Sequence, residues 1–234
     1  MSTELLRLSG VRKRFGGFVV LNDVSFAVAA GEIVGLVGPN GSGKTTTINV
    51  ISGLLRDDGG SIVFDGQDVG ALPVHRRARL GINRTFQVPK VFRDMSVREN
   101  IEVAAHAGRL QPGQVDAILD EIGLARVAGQ IAGSLTANQQ KLLDLGRALA
   151  TSPKLLLVDE IGAGLNPAEL GAIATLLEKL AARGIAMIVV EHLLDFLNRI
   201  TERVIVLGAG RMLFEGALEA ASREPEVVAA FFGG

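Results

Sequence analysis

Two stretches of the chain gather residue types that handle phosphate. Gly38-Pro39-Asn40-Gly41-Ser42-Gly43-Lys44-Thr45-Thr46 follows the apolar run Val34 to Val37 and places Gly38, Gly43, Lys44 and Thr45 at the spacing of a phosphate-binding loop. Glycines let such a loop curl with its amides inward, and a helix opening near Lys44 adds a positive dipole end. Lys44 would reach the outer phosphates of a polyphosphate, and the Thr45 hydroxyl would hold Mg²⁺. A Gly-rich turn with a surface lysine is the plain alternative, and the order of apolar strand, loop and helix argues against it. The second stretch, Leu155-Leu156-Leu157-Val158-Asp159-Glu160, is a continuous apolar strand ending in adjacent carboxylates, as expected for a strand buried on both faces. Two acids at the exit of a core strand are costly without a metal or a reaction to serve. Beside a phosphate loop, Asp159 fits a Mg²⁺-associated role and Glu160 is left to act on water.

Other candidates lie at the ends of predicted elements. Gln87 closes the short apolar segment from Gly81 to Phe86, at the carboxyl end of a strand, where ligands collect in open α/β sheets. Val88 to Phe92 follow as an apolar loop broken by Pro89, read either as buried packing or as an exposed docking patch. His192 ends the apolar strand Ala186 to Val190. A lone His is usually structural, but at this position it would point toward a γ-phosphate. Phe15, just before Gly16-Gly17, could stack on a base or simply pack. Leu135-Thr136-Ala137-Asn138-Gln139 opens a helix whose free amides could bind an anion, although capping is a sufficient reason for those residue types. The basic run His75-Arg76-Arg77-Ala78-Arg79 reads as a solvated helix face rather than an anion site.

The positioning elements follow from periodicity. Leu5 to Ser9 and Phe18 to Val28 alternate as strands, Thr46 to Leu55 reads as a helix, and Ser61 to Phe64 as a strand. Arg98 to Ala107 and Val115 to Leu124 read as helices inserted in the α/β chain, and the helix after Ser134 has Leu142, Leu145 and Leu149 as its expected buried stripe. Asn166-Pro167-Ala168-Glu169 has an N-cap, a proline at the first helical position and a glutamate at the third. Val204 to Leu207 and Met212 to Phe214 read as a closing strand pair, and Glu219 to Gly234 as one terminal helix.

Composition narrows the class. At 234 residues and 48% hydrophobic, the chain can fill a sizeable core. Lysine plus arginine number 24 against 25 acids, which argues against a polynucleotide partner. No cysteine is present, so disulfides and thiolate metal sites are excluded. No apolar run is long enough to span a bilayer and the start lacks a basic region before an apolar one, so a cytoplasmic location is expected. A mean hydropathy of +0.35 fits a subunit that buries surface against partners, or a large aliphatic core.

Together these motifs resemble the ATP-binding subunit of ABC transporters, over essentially the whole chain. The order of the phosphate loop, Gln87, Leu135 to Gln139, Asp159-Glu160, the loop Ala163-Gly164-Leu165-Asn166 and His192 carries the likeness. Arg84-Thr85-Phe86-Gln87, Ala163 to Pro167 and the ending from Gly216 look most like the ATPases of branched-chain amino acid importers. The resemblance implies an α/β P-loop NTPase (RecA-like) core with a mainly parallel sheet, an antiparallel β subdomain and an inserted helical subdomain. Residues 1–88 and 152–234 would form the first two and 89–151 the helical part. It implies ATP bound by Gly38 to Thr46 with Phe15 against the base, and Mg²⁺ held by Thr45, Gln87 and Asp159. Catalysis would fall to Glu160 with His192, Lys44 and Gln87, and Leu135 to Gln139 would act on the nucleotide of a facing subunit. Implied partners are a second ATPase in a homo- or heterodimer, permease subunits docking near Gln87 to Phe92 and, indirectly, a solute-binding protein. The location would be peripheral, on the inner face of the membrane.

A soluble ATPase acting as a regulator or mechanical switch is the competing class, and the single cassette argues against it. A GTPase or small-molecule kinase is disfavoured, because there is no Asn-Lys-x-Asp motif and the tandem Asp159-Glu160 suits ATP hydrolysis better than transfer to an acceptor. Three departures from the family pattern stand out: Ala137 and Asn138 replace both signature glycines, Ile161 and Leu193 follow the catalytic pair and the switch His, and only Phe15 is available to stack on adenine. Asn138 is expected to keep a left-handed turn there, because asparagine tolerates that conformation best among non-glycines.

Overall fold

The chain was analysed as a computed structural model, which describes residues 4–108, 110 and 113–232. In chain order the strands are β1 (Glu4–Phe15), β2 (Phe18–Ala29), β3 (Ile33–Val37), β4 (Gly59–Phe64), β5 (Gln67–Asp68), β6 (Ile82–Arg84), β7 (Leu155–Asp159), β8 (Ala186–Val190), β9 (Arg203–Gly208) and β10 (Arg211–Gly216). The helices are α1 (Lys44–Ser52), α2 (Val74–Leu80), α3 (Val97–Gly108), α4 (Gln114–Glu121), α5 (Ala137–Leu149), α6 (Pro167–Ala182), α7 (Leu194–Ile200), α8 (Leu218–Ala221) and α9 (Pro225–Phe232).

The main sheet has the order β10-β9-β3-β8-β7-β6, parallel except for β10, which pairs antiparallel with β9. Every residue of β3, β7 and β8 is buried, because both faces of the sheet are covered. Along β7, Leu156 and Val158 face a core shared with α3, α4, α5, α6 and α7, whereas Leu155 and Leu157 face one built with α1 and a second sheet. That second sheet is antiparallel, in the order β2-β1-β4-β5. Between β6 and β7 the chain is helical, carrying α3, α4 and α5. This is the α/β P-loop architecture that the resemblance implies.

Local chemistry explains several boundaries. Asn166 caps α6, its Oδ1 accepting the Ala168 and Glu169 amides at 3.0 Å each, while Glu169 returns a carboxylate oxygen to the Asn166 amide at 2.9 Å. Thr136 and Gln139 form the same reciprocal box at the start of α5, at 3.2 and 3.0 Å. Ala137 and Asn138 are therefore the first two residues of a right-handed helix, and neither has a positive φ. The expected left-handed turn at Asn138 is not there.

Three further expectations change. The buried stripe of α5 runs through Leu143, Leu145 and Leu149, with Leu142 only half-buried. The tail is two helices, broken where Pro225 starts α9, and Gly233-Gly234 lies outside the described residues. In the basic run, Arg77 is not solvated but buried, under the C-terminus of α1. Its guanidinium donates to the carbonyls of Val50 (2.7 Å), Ile51 (2.9 Å), Leu72 (2.9 Å) and Gly70 (2.9 Å). The last carbonyls of a helix have no intrahelical partner, and one planar fork of donors closes this end. Arg77→Ala should lower unfolding stability by about 3 kcal/mol by leaving these acceptors buried and unpaired, while Arg76→Ala should stay within about 0.5 kcal/mol. Urea denaturation of both variants measures the difference, and equal midpoints would contradict the capping role.

Candidate functional site

Because β3, β6, β7 and β8 run parallel, their carboxyl ends lie along one edge of the sheet, and each releases one candidate segment there. The loop after β3 is forced into shape by its glycines. Gly38 has φ +152°, and a Cβ there would lie 2.2 Å from the Leu207 carbonyl oxygen and 2.6 Å from Ser42 Oγ. Gly43, the N-cap of α1, has φ +108° and a Cβ would fall 2.8 Å from Leu21 Cδ2. Lys44 is buried and donates to the carbonyls of Gly38 at 2.7 Å and Pro39 at 3.1 Å, so its ammonium stands inside the loop it closes. Burial holds this ammonium below the usual lysine range, against the pull of Glu160 and Asp159. Ser42 Oγ is buried there without a hydrogen-bond partner.

Glu160 comes off β7 directly opposite. Its φ of +49° is a conformation that non-glycine residues rarely hold, and such strain clusters at functional sites. Gln87 Nε2 donates to one carboxylate oxygen at 2.7 Å, and His192 Nε2 stands 3.2 Å from the other. Val20, Asn40, Gly41, Gly43, Lys44, Thr45, Thr46, Glu160 and His192 line one cavity of about 160 Å³. The loop, the carboxylate and the imidazole, three segments far apart in sequence, therefore converge. Such a site can cradle a polyphosphate and hold a water between a carboxylate and an electrophilic phosphorus.

Asp159, one residue earlier, is buried behind Glu160. Burial pushes its carboxyl above the usual range, with Arg84 and Lys44 acting the other way and Glu160 adding to the rise. Arg84 Nη2 approaches Asp159 Oδ2 at 3.4 Å, and its Nη1 is fixed by Asn49 Oδ1 at 2.5 Å. Phe15 is half-exposed at the end of β1 opposite Phe18, with the Lys13 ammonium 5.5 Å from its ring centre. It is not among the residues lining the phosphate cavity, and neither is any of Leu135 to Gln139.

A family model described as ABC transporter matches residues 21–163, from β2 through the phosphate loop to just beyond Glu160. The chain belongs to that family. This ABC cassette is 34% identical to the high-affinity branched-chain amino acid transport ATP-binding protein BraF of Pseudomonas aeruginosa, a match covering 100% of this chain and 99% of that one. It is also 36% identical to the lipopolysaccharide export system ATP-binding protein LptB of Acidithiobacillus ferridurans, over 99% and 98% of the two chains. Among solved structures, the ADP conformation of MJ1267, an ATP-binding cassette of an ABC transporter, superposes with a TM-score of 0.89 at 31% identity, covering 100% of both chains. The protein is thus the ATP-binding, ATP-hydrolysing subunit of an ABC transporter.

The cassette also contains functional neighbours whose roles local sequence patterns do not reveal. Arg84 faces Asp159, and the buried Glu191 accepts the Gly162 amide at 2.6 Å, steadying the turn after Glu160. Lys141 and Asp144 reach the same loops from α5. Asp144 alone carries a clear sequence signal, a charge embedded in the apolar stretch Leu142-Leu143-Asp144-Leu145, whereas Arg84 and Lys141 stand beside other polar residues. Gly38→Ala should weaken ATP binding by at least about tenfold, since the nearest atom to the added Cβ is the Leu207 main-chain carbonyl oxygen, which cannot swing aside as a side chain can. The check is the ATP-induced rise in Tm, and a rise equal to that of the wild type would mean that the loop does not close on phosphate.

Proposed function

We propose that this cassette powers import of branched-chain amino acids or a related small polar solute, with Glu160 as the group that activates water. The observation that carries the catalytic part is the approach of Gln87 and His192 to opposite oxygens of Glu160, over the phosphate loop. Lys44 and the loop amides bind the β- and γ-phosphates; Glu160 takes the proton of the attacking water, while Gln87 and His192 orient its carboxylate. Phe15 is assigned to the adenine.

Mg²⁺ fits the donor set. It is a hard cation that keeps several waters and takes few protein ligands. Thr45, Asp159 and Gln87 offer a hydroxyl, a carboxylate and an amide oxygen, and among the described residues no group of three or more His, Cys, Asp or Glu gathers into a cage. When bound, the ion would neutralise charge on the phosphate oxygens.

The signature residues Leu135 to Gln139 stand outside the cavity lining, which supports a role on the nucleotide of a facing cassette in a homo- or heterodimer. Val88 and Phe92 are 69% and 43% exposed beside Gln87, which supports docking of permease subunits at that loop. Among the described residues no helix is long and apolar enough to cross a membrane, so attachment to the inner face would come through those partners. A solute-binding protein would act further upstream.

The import reading draws on the full-length likeness to BraF, and the LptB likeness marks lipid export as the alternative. Uptake of labelled leucine by cells lacking this chain separates them. Import predicts a loss that the wild-type chain restores and Glu160→Gln does not; normal uptake with defective lipopolysaccharide export would select the other reading. In purified protein, Glu160→Gln should bind ATP within a few-fold of the wild type yet turn it over on the order of 10²-fold more slowly or worse. Undiminished turnover would remove Glu160 from its role.

A further inference from the structure

Helix α5 grips the site at points well beyond its first residues. At positions 138, 141 and 144, three residues apart, polar side chains leave it for three different segments. Asn138 Nδ2 donates to Glu169 Oε1 at 2.7 Å, the residue that completes the cap of α6. Lys141 Nζ donates to the carbonyls of Glu160 at 3.3 Å, Ile161 at 3.2 Å and Ala163 at 2.6 Å. Asp144 accepts the amides of Phe86 at 2.8 Å and Lys90 at 3.2 Å, one on each side of Gln87.

These contacts have one geometric effect. Glu160 sits in a strained conformation and needs its main chain held from several sides. Its amide is bonded to Val190 across the sheet at 2.9 Å, and the following turn by Glu191. The carbonyls converge on Lys141, a charge-assisted contact stronger than a neutral one. Gln87 lies on an otherwise exposed loop, and the Asp144 carboxylate fixes that loop on both flanks. Lys141 and Asp144 are separated by about 4.5 Å along a rigid helix.

We propose that Lys141 and Asp144 are positioning residues that keep Gln87 within hydrogen-bond reach of Glu160. Lys141 acts on the main chain of Glu160, and Asp144 on the amides flanking Gln87. The helix between them sets the separation of the two loops. Because α5 begins at the signature residues, a displacement of its first turn moves both grips together. The inference rests on Glu160 being the group that activates water.

The test is ATP turnover in the assembly in which the wild-type chain is active. Lys141→Met should lower kcat by about tenfold or more while KM for ATP and the ATP-induced rise in Tm stay within twofold, because no phosphate contact is removed. Lys141→Arg should recover most of that loss, since a guanidinium can reach the same carbonyls. In a Glu160→Gln background, Lys141→Met should change the residual rate by less than about twofold. An unchanged kcat for Lys141→Met, or losses that multiply in the double variant, would overturn the proposal. Should Lys141→Met not fold, Asp144→Asn decides: a several-fold lower kcat that Gln87→Ala does not deepen is expected, and an unchanged or fully multiplicative rate overturns it. Normal turnover by Glu160→Gln alone would instead refute the assignment of Glu160, a result distinguishable from failure of the positioning.

Discussion

A strand buried on both faces has nowhere along its length to display a polar side chain. In this cassette β3, β7 and β8 are buried throughout, so their chemistry can appear only at their ends. Because they are parallel neighbours in the order β3-β8-β7, those ends fall on the same edge. The phosphate loop, the Asp159-Glu160 pair and His192 are brought together by that constraint, with Gln87 added by β6 one strand further out. Hydrophobic burial of the sheet builds the core and also determines where the polar groups emerge.

Those emerging groups create a second problem, because charge near a low-dielectric sheet is expensive unless matched. A solution used repeatedly here is to pair a buried or half-buried charge with main chain. Arg77 serves four carbonyls, Lys141 three and Asp144 two amides, and Glu191 accepts the amides of Gly162 and His192. Each such charge also satisfies backbone groups at helix ends or in turns that have no regular partner. Asp159 differs, meeting the guanidinium of Arg84 at 3.4 Å. A carboxylate paired loosely with a side chain can exchange that partner for a cation more readily than one bound to fixed amides, which suits a residue assigned to Mg²⁺.

What was legible in the sequence follows the same division. The phosphate loop, the acid-tipped strand and the Asn166-Pro167-Ala168-Glu169 cap are local patterns whose physics is complete within a few residues, and the structure has the same elements there. Arg77, Lys141 and Asp144 derive their roles from partners 19 to 58 residues away in most of their contacts. Only spatial neighbours reveal them, which is why Arg77 read as one more member of a basic surface. The tail is two helices because Pro225, at home in the first helical position, starts a new one after the break that follows α8.

The start of α5 shows how a local departure can leave a fold unchanged. Glycine is required where φ is positive or where main chain approaches closely, and the first condition does not hold at residues 137 and 138, which are right-handed helix. Ala137 and Asn138 therefore strain nothing within this chain. What they change is the outer surface of the first turn: Asn138 is drawn to Glu169 and Ala137 adds a single methyl. The amide of Gln139 is taken by Thr136 Oγ1, but those of Ala137 and Asn138 have no intrahelical partner and point along the helix axis. A phosphate of a facing cassette would thus meet these two main-chain donors, at a distance set by one methyl group and one side chain already committed to α6.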